Sequence, residues 1–204
     1  MDNVINFFSR KQEFRSLSNF WEGDVQIQGR LYESGEHCFH GEKYYRLADL
    51  STNLLRKAML LDYSQLFMKP SYRTAADAKI FGSAKGLRLT SEELAQWSSI
   101  SLEVQKEICK WKLENYEEVR DDLVKSGSKI LIHPAMRCSH IESRVWEGKA
   151  SLKDGELVVL GQNMLGKIWM ELRSLSSKTL SSKTLSSATS TTLGSRKSRP
   201  ETSI

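Results

Sequence analysis

The sequence predicts a mainly α-helical domain with a small β component. Apolar residues recur near the helical period over a long stretch, at Ile100, Val104, Ile108 and Trp111. Strand-like runs are few and short, and one of them is stopped by Pro134. At 204 residues the chain is long enough for one hydrophobic core and a tail. We therefore expect a single compact domain.

Short strands and a hairpin make up the predicted β component. Apolar or weakly alternating runs mark the strands, and Asp154-Gly155 is typical of a tight turn. The predicted β segments are residues 4–8, 25–32 and 130–133, with a hairpin or an irregular segment at 146–159. These segments are too few and too short to dominate the fold.

Capping residues and glycines mark the ends of the predicted helices. A first helix is expected from Ser34, because a serine hydroxyl accepts an orphan backbone N–H at a helix start. Ser51 or Thr52 is expected to cap the second helix, and Gly127 to end the fifth. Gly82 indicates either a close backbone approach or a helix end within the third. The later predicted helices are residues 54–61, 75–87, 91–116 and 117–125, and one from 161–166 to about Arg173.

The net charge of +5 belongs to the C-terminal tail rather than to the predicted domain. Residues 174–204 contain five basic side chains and one acidic side chain, a net of +4. Subtracting these from the totals of 30 and 25 leaves residues 1–173 with 25 basic and 24 acidic side chains, a net of +1. A domain that binds nucleic acid through its backbone normally has a basic face. The nearly neutral composition of the domain therefore does not indicate nucleic-acid binding, although it is compatible with a local basic patch.

The tail itself is predicted to be disordered. It is rich in serine and threonine, and Ser-Ser-Lys-Thr-Leu occurs twice, at 176–180 and 181–185. Such a composition buries too little apolar surface to offset the entropy of ordering the chain. We therefore expect a folded domain of residues 1–173 and a disordered tail of residues 174–204. The tail could be regulatory, a basic address signal, or without function.

Several classes of protein are not indicated by the sequence. No apolar run is long enough to span a membrane, and the N-terminus lacks the regions of a signal peptide. Cys38, Cys109 and Cys138 are odd in number and widely spaced, which predicts reduced cysteines without a disulfide framework. No glycine-rich P-loop or dinucleotide pattern occurs, and no cofactor is expected. These features predict a cytoplasmic protein, and the basic tail leaves a nuclear location open.

The stretch from Tyr32 to Arg46 concentrates residues that can carry chemistry. If a helix begins at Ser34, Glu36 lies in its first turn, near the positive end of the helix dipole. A carboxylate there is placed for proton transfer or electrostatic work, but many such glutamates only favour the dipole. His37 and His40 lie three residues apart on the same helix, without the second ligand pair that a zinc site needs. We assign no metal.

Residues further along the chain add candidate binding groups. Trp97 and Trp146 lie in polar surroundings, so each ring is either available to stack on a base or part of the core. Glu147 places a second acid beside Trp146, and cleavage of a glycosidic bond uses such carboxylates and aromatic walls. Asn163 is expected to cap the last helix, whose free N–H groups could also hold an anion.

Four blocks of sequence, in their order and spacing, resemble the NADAR family, also described as YbiA-like. The resemblance extends over residues 3–173. The first block is Leu17-Ser18-Asn19-Phe20, after Ile5-Asn6-Phe7-Phe8, and the second runs from Tyr32 to Phe39 and continues to Lys43. The third block is Ala78 to Gly82, followed by Trp97. The fourth is Trp146, followed by Gly161 to Lys167 and Met170 to Arg173. The resemblance implies a single compact YbiA-like domain that is mainly helical and has N-glycosidase activity.

The resemblance also implies roles for particular residues. Glu36 falls on the family's catalytic glutamate, and Trp97 falls on a tryptophan implicated in activity. Family members often read Trp-Gly-Asp where this chain reads Trp146-Glu147-Gly148, so Glu147 is expected to replace the aspartate after a shift of one residue. The residues expected to bind the substrate are Asn19, Phe20, His37, Lys43, Gly82, Trp146, Gly161 and Asn163.

Three functions remain open from the sequence. The leading one is an N-glycosidase that acts on an aminopyrimidine nucleotide of the riboflavin pathway or on ADP-ribosylated guanine, including guanine in nucleic acid. The shifted acid motivates a second function, a non-catalytic module that binds ADP-ribose or a related nucleotide. A third is association with nucleic acid through the basic tail. The sequence leaves the oligomeric state open.

Overall fold

The structure of the protein is a computed structural model that describes residues 2–8, 10, 12–71, 73–135 and 140–176. Its helices are α1 (Gly35–Leu50), α2 (Leu54–Gln65), α3 (Ala75–Phe81), α4 (Ser91–Asn115), α5 (Glu117–Lys125) and α6 (residues 164–176). Its strands are β1 (Val4–Asn6), β2 (Val25–Ile27), β3 (Arg30–Tyr32), β4 (Ile130–Ile132), β5 (Lys149–Lys153) and β6 (Glu156–Leu160). The predicted fold class, mainly α with a small β component, is confirmed.

The tail and the helices can be compared with the expectations above. Residues 174–176 belong to α6, which therefore continues beyond its predicted end at Arg173. The predicted disorder of the tail concerns residues 177–204, which lie outside the described residues. None of the helices in the described part of the chain is long and apolar enough to cross a membrane.

In the described part of the chain the strands form three separate two-stranded sheets. β1 pairs in parallel with β4, whereas β2–β3 and β5–β6 are antiparallel hairpins. The turn between β5 and β6 is Asp154-Gly155, with φ angles of 53° and 83°, as a two-residue hairpin turn requires. The hairpin predicted at this dipeptide is confirmed.

Residues 25–32 form a hairpin instead of the single strand that their alternation predicted. Gln28 and Gly29 make the two-residue turn, with φ angles of 48° and 82°. Glycine adopts positive φ at no steric cost, but glutamine is not among the residues that usually mark a turn. The sequence pattern therefore did not indicate the tight turn, and residues 25–32 resembled one continuous strand.

The helix caps agree with the sequence in one case and differ in another. The Ser34 side chain accepts a backbone N–H of the first turn of α1, which confirms the predicted cap. α2 is capped by Asn53, so the prediction of Ser51 or Thr52 was wrong. Ser51 is already the C-terminal cap of α1, and the next helix begins only at Leu54.

The third helix is shorter than the sequence predicted. α3 ends at Phe81 and has Gly82 as its C-terminal cap, whereas the predicted helix continued to residue 87. Of the two interpretations left open for Gly82, both apply, because it ends the helix and its backbone also lies against the ring of His40. A glycine in a helix interior is unfavourable, which is consistent with this early end.

Two apolar clusters form the core, and α4 contributes to both. One cluster surrounds α1 and contains Tyr44 and Ile108, while the other surrounds α6 and contains Trp169 and Cys109. Phe39 packs against the first cluster, and Trp146 packs against the second. The candidate site lies where these two clusters meet.

A fully buried lysine on α4 binds the short 3₁₀ turn Arg15–Leu17 and the residue that follows it. Lys112 Nζ donates to the carbonyl oxygens of Ser16 at 2.6 Å and Ser18 at 2.9 Å. Its ammonium also lies 5.2 Å from the centre of the Trp21 ring and 5.7 Å from that of Trp169. These contacts hold the next residues of the loop against α1.

Candidate active site

A cavity of about 410 Å³ lies between α1, α3, α4 and the loop that precedes β5. Five residues that the sequence singled out line this cavity, and they come from three separate parts of the chain. They are Asn19, Phe20, Glu36, Trp146 and Glu147. The fold thus brings two carboxylates, an amide and two aromatic rings to one place.

Glu36 lies in the first turn of α1 and is 8% exposed. Its backbone N–H donates to the carbonyl of Asn19 at 2.8 Å, which fixes the helix start against the neighbouring loop. Its carboxylate Oε1 lies 3.2 Å from His40 Nε2, one helical turn further along. A negative charge at this end of a helix is favoured by the helix dipole.

His40 supplies a neutral N–H donor to the Glu36 carboxylate. A carboxylate only accepts hydrogen bonds, so the imidazole proton is on Nε2. Burial lowers the pKa of His40, the hydrogen bond and negative charge of Glu36 raise it, and Lys43 and Lys79 lower it further, so that the net change in the pKa is downward. The ring is therefore uncharged near pH 7, where an unperturbed histidine is already mostly neutral.

The aromatic wall of the cavity is built around Phe39. Its ring meets Trp97 edge-on at 4.9 Å and Trp146 edge-on at 5.3 Å between ring centres. Phe39 and Trp146 line the cavity, whereas Trp97 is half-buried behind Phe39 and is not among the lining residues. Of the two interpretations left open for Trp97, a ring that stacks on a base or a part of the core, its packing behind Phe39 agrees with the second.

The second acid lies on a loop that is held by Asn163. The Asn163 side chain accepts the backbone N–H of His133 at 3.0 Å and donates to Leu131 O at 2.8 Å, and its own N–H donates to Glu147 O at 2.9 Å. Gly161 packs so closely that a Cβ there would be 2.7 Å from the same oxygen of Glu147. Asn163 and Gly161 therefore hold the backbone of this loop in place, and neither of them lines the cavity.

His133 is a half-buried residue that lines the same cavity as both acids. Its ring stacks on Phe7 with 5.5 Å between centres, and its Nδ1 has no hydrogen-bond partner among the described residues. Burial lowers the pKa of His133, and the negative charges of Glu147 and Glu36 raise it by less. Both carboxylates and this imidazole line the same cavity.

Lys43, His37 and Gly82 surround the cavity without lining it. Lys43 Nζ donates to the carbonyl of Gly82, and burial lowers the pKa of Lys43 to about 8. His37 Nδ1 accepts from Ser34 Oγ at 2.8 Å, and its Nε2 donates to Arg73 O at 3.0 Å. These side chains connect α1 to α3 and to the loop before it, which is a supporting arrangement.

Exposed polar residues form the rim of the cavity. They are Lys79, Ser83, Ser143 and Arg144. The ammonium of Lys79 lies 5.4 Å from the centre of the Phe20 ring. The rim therefore adds positive charge to a cavity whose interior holds the two acids.

Several lining residues were not predicted as site residues, and Phe39, His40, Lys79, Gln105 and His133 matter most here. Helical spacing could have revealed Phe39 and His40, because residues three and four positions after Glu36 lie on the same helix face. Gln105 and His133 lacked such a signal, since contacts distant in sequence bring them to the site. No group of three or more potential metal ligands is present in the described ranges.

A mainly helical domain that places two carboxylates and aromatic rings around one cavity has the parts that glycosidic bond cleavage requires. The NADAR domain family matches residues 6–175, which is most of the chain. The chain therefore belongs to the NADAR family, and the resemblance inferred from the sequence is confirmed.

Similar proteins carry the name of an N-glycosidase. N-glycosidase YbiA from Shigella boydii serotype 4 is 25% identical over 174 residues, which cover 84% of this chain and 88% of the relative. N-glycosidase YbiA from Escherichia coli is 24% identical over 178 residues, with the same two coverages. The NMR structure of the E. coli protein YbiA matches with a TM-score of 0.57 and 22% identity, over 88% of each chain. The fold is thus shared with YbiA.

Proposed function

We propose that this chain is an N-glycosidase that hydrolyses the bond between ribose and base in a nucleotide-like substrate. The observation that carries the proposal is that Glu36 and Glu147 line one cavity in a member of the NADAR family. The name of its relatives, N-glycosidase, supports the same reaction. A cavity of about 410 Å³ is within the usual range for small-molecule sites.

The proposed reaction breaks the bond between C1′ of ribose and a nitrogen of the base. The electron pair of this bond leaves with the base, and positive charge develops at C1′ and the ring oxygen. Glu36 stabilises that charge or accepts a proton from the attacking water, whose oxygen then bonds to C1′. Glu147 is the candidate donor of the proton that the leaving nitrogen takes up. The products are the free base and a ribose with a hydroxyl group at C1′.

The base is proposed to lie against Phe39 and Trp146. Both rings line the cavity, and aromatic faces stack on bases of any sequence. Trp97 supports Phe39 from behind, so its contribution to activity is indirect. The amides of Asn19 and Gln105, also lining residues, are candidate partners for ribose hydroxyls.

A phosphate group on the substrate is proposed to bind at the rim, next to Lys79 and Arg144. The sequence had suggested Lys43 as a substrate-binding residue and the start of α6 as a possible anion site. Lys43 instead donates to a backbone carbonyl, and the N–H of Met164 donates to Val145 O at 2.9 Å. Exposed cations at the mouth of the cavity are better placed to meet a phosphate from solvent.

Two substrate classes combine these features. One is a phosphorylated aminopyrimidine nucleotide of the riboflavin pathway, and the other is ADP-ribosylated guanine, either free or within nucleic acid. Each has a ribose, a base linked through nitrogen, and phosphate. The residues of the cavity match what the two classes share, so both belong in the first assay.

The test is release of free base from both substrates by the wild-type chain, Glu36→Gln and Glu147→Gln. Each variant keeps the shape of the side chain and removes its acid group, so kcat should fall by about 100-fold or more for Glu36→Gln. Glu142→Gln is the matched control, because Glu142 is exposed and does not line the cavity. Turnover that is unchanged in folded Glu36→Gln would refute the proposed mechanism.

A non-catalytic nucleotide-binding module is the second candidate. The observation that favours it is the acid at Glu147, one residue before the position at which the family resemblance expects an aspartate. Isothermal titration calorimetry with ADP-ribose separates the two functions when it is combined with product analysis. Tight binding without any base release from either substrate would favour the module, whereas cleavage would exclude it.

A further inference from the structure

We infer that His40 is a positioning residue that holds the Glu36 carboxylate through a neutral N–H, and that Gly82 makes room for its ring. The inference rests on the proposed hydrolysis by Glu36. His40 Nε2 lies 3.2 Å from Glu36 Oε1, and the two side chains are only 12% and 10% exposed. Across the described ranges, His40 is the only side chain that donates a hydrogen bond to this carboxylate.

Gly82 is explained by the position of the His40 ring. A Cβ at residue 82 would overlap Cγ, Nδ1 and Cε1 of His40. The φ angle of Gly82 is −76°, which any residue can adopt, so the backbone conformation does not require glycine. Glycine is required at residue 82 because the imidazole of His40 occupies the space that a Cβ would fill. The contact also explains why His40 Nδ1 has no hydrogen-bond partner within the described residues.

The surroundings of His40 keep the ring uncharged. Burial is the main effect, and the ammonium groups of Lys43 on α1 and Lys79 on α3 act in the same direction. Glu36 is the acidic group that opposes them, and Phe67 adds an apolar ring 6.2 Å away. An uncharged donor orients a carboxylate without neutralising it, so Glu36 keeps the charge that its proposed role requires.

The hydrogen bond leaves half of the carboxylate available. Oε1 of Glu36 is bonded to His40, whereas its Oε2 has no hydrogen-bond partner in the described part of the chain. A carboxylate that is fixed through one oxygen presents the other in a constant position, which reduces the reorganisation needed to reach the transition state. Loss of the bond should therefore lower kcat much more than it changes KM.

The first experiment compares His40→Leu with His40→Gln. Leucine removes the donor, and kcat is expected to fall by about 10- to 100-fold with KM changed by less than about 3-fold. Glutamine offers a neutral N–H in a similar place and should return kcat to within about 5-fold of the wild type. His140→Leu, at an exposed histidine, is the control. Equal activity of wild type and His40→Leu, or no rescue by glutamine, would overturn the inference.

The second experiment is a double-mutant cycle between residues 40 and 82. Gly82→Ala should lower kcat by about 10-fold in the wild type, because the methyl group displaces the imidazole. In a His40→Ala background the ring is gone, so the same substitution should change kcat by less than about 2-fold. Thermal unfolding of all four proteins checks that they are folded. Strictly multiplicative effects would show that Gly82 does not act through His40.

Failure of this inference can be told apart from failure of the proposed function. If the wild type releases no base from either substrate, the proposed function fails. The state of His40 is then still measurable from imidazole nitrogen shifts by NMR at pH 7, with His40→Gln used for assignment. A neutral ring with the proton on Nε2 is expected, and its Nε2 resonance should shift in Glu36→Leu. A charged ring, a proton on Nδ1, or an unchanged resonance would show that the pair does not exist as inferred.

Discussion

Asn19 and Gln105 exchange two hydrogen bonds at the floor of the cavity. Asn19 Nδ2 donates to Gln105 Oε1 at 2.7 Å, and Gln105 Nε2 donates to Asn19 Oδ1 at 3.0 Å. The backbone carbonyl of Asn19 in turn accepts the N–H of Glu36 at 2.8 Å. Asn19 thus links Gln105 on α4 to the first turn of α1.

Gln105→Leu should lower the free energy of unfolding by about 1–3 kcal/mol, because it leaves the buried amide of Asn19 without a partner. Urea denaturation measures the loss. Glu103→Leu is the control on the same helix, since Glu103 is exposed, and it should change stability by less than about 0.5 kcal/mol. Similar losses in the two variants would mean that the amide pair contributes nothing specific.

Lys112 should make stability depend on pH. Burial lowers its pKa from 10.5 to about 8, although Cys109, Glu118 and Asp122 raise it by smaller amounts. Between pH 8 and 10.5 the unfolded chain thus binds the proton more strongly than the folded chain does. Linkage then requires the contribution of Lys112 to the free energy of unfolding to rise with pH across this window.

Lys112→Met removes this titration. The free energy of unfolding of the wild type minus that of the variant should be constant below about pH 8 and increase from pH 8 to 10. Taking the difference cancels the titration of groups that both proteins share, such as Lys43. Lys110→Met, at an exposed position of the same helix, should run parallel to the wild type. A difference that is flat across the window would show that Lys112 titrates normally.

Local patterns in the sequence were sufficient to predict most helices and the family. Ser34, Asp154 and Gly155 act through nearby backbone geometry, so their roles can be read from a few residues. Gln28 adopts a positive φ angle that its residue type does not suggest, and Asn53 caps α2 because the chain leaves α1 so close to it. The turn at Gln28 and the cap at Asn53 depend on the path of the chain, which residue propensities alone do not encode.

The composition of the site was predictable only in part, for a similar reason. Glu36, which lines the cavity, could be predicted as a site residue because its position at a helix start and its family block coincide. The sequence alone could not show which of Lys43 and Lys79 lies at the rim of the cavity. Lys79 lines the rim, whereas the packing of α1 against α3 turns Lys43 inward, where it donates to the carbonyl of Gly82. Trp97 and Phe39 are both aromatic, and only their packing order decides which ring lines the cavity.

Lys79→Met should weaken the binding of phosphorylated substrates in particular. Lys79 lines the cavity from its exposed rim, so we expect KM to rise by about 5- to 10-fold for a phosphorylated substrate, with kcat nearly unchanged. For the corresponding substrate without phosphate, KM should stay within about 2-fold. Steady-state kinetics at low and moderate salt measures both effects, because screening weakens an exposed charge.

Lys85→Met is the matched control for the rim, since Lys85 is exposed near the end of α3 but does not line the cavity. It should leave both KM values unchanged. If Lys79→Met and Lys85→Met alter KM equally, the effect is one of general surface charge. If neither alters it, the phosphate is not held at Lys79.

The position of the second acid is constrained by packing, which predicts the outcome of moving it. A Cβ on Gly148 would lie 2.7 Å from Cβ of Asn163, and the N–H of Gly148 donates to His133 O at 2.8 Å. An aspartate at residue 148 would therefore push against the asparagine that holds the loop. In this chain, residue 147 can present a carboxylate to the cavity without that overlap.

Restoring the order Trp-Gly-Asp with Glu147→Gly and Gly148→Asp should thus lower the free energy of unfolding by about 1–3 kcal/mol, the usual cost of overpacking. Base release should fall with it, because the acid is gone from residue 147 and the loop is displaced. The single variant Glu147→Gly keeps Gly148 and should lose activity while remaining nearly as stable as the wild type. Urea denaturation and the base-release assay on all three proteins separate the two effects. A double variant that is both stable and more active would show that Asn163 yields readily and that the acid works equally well from residue 148.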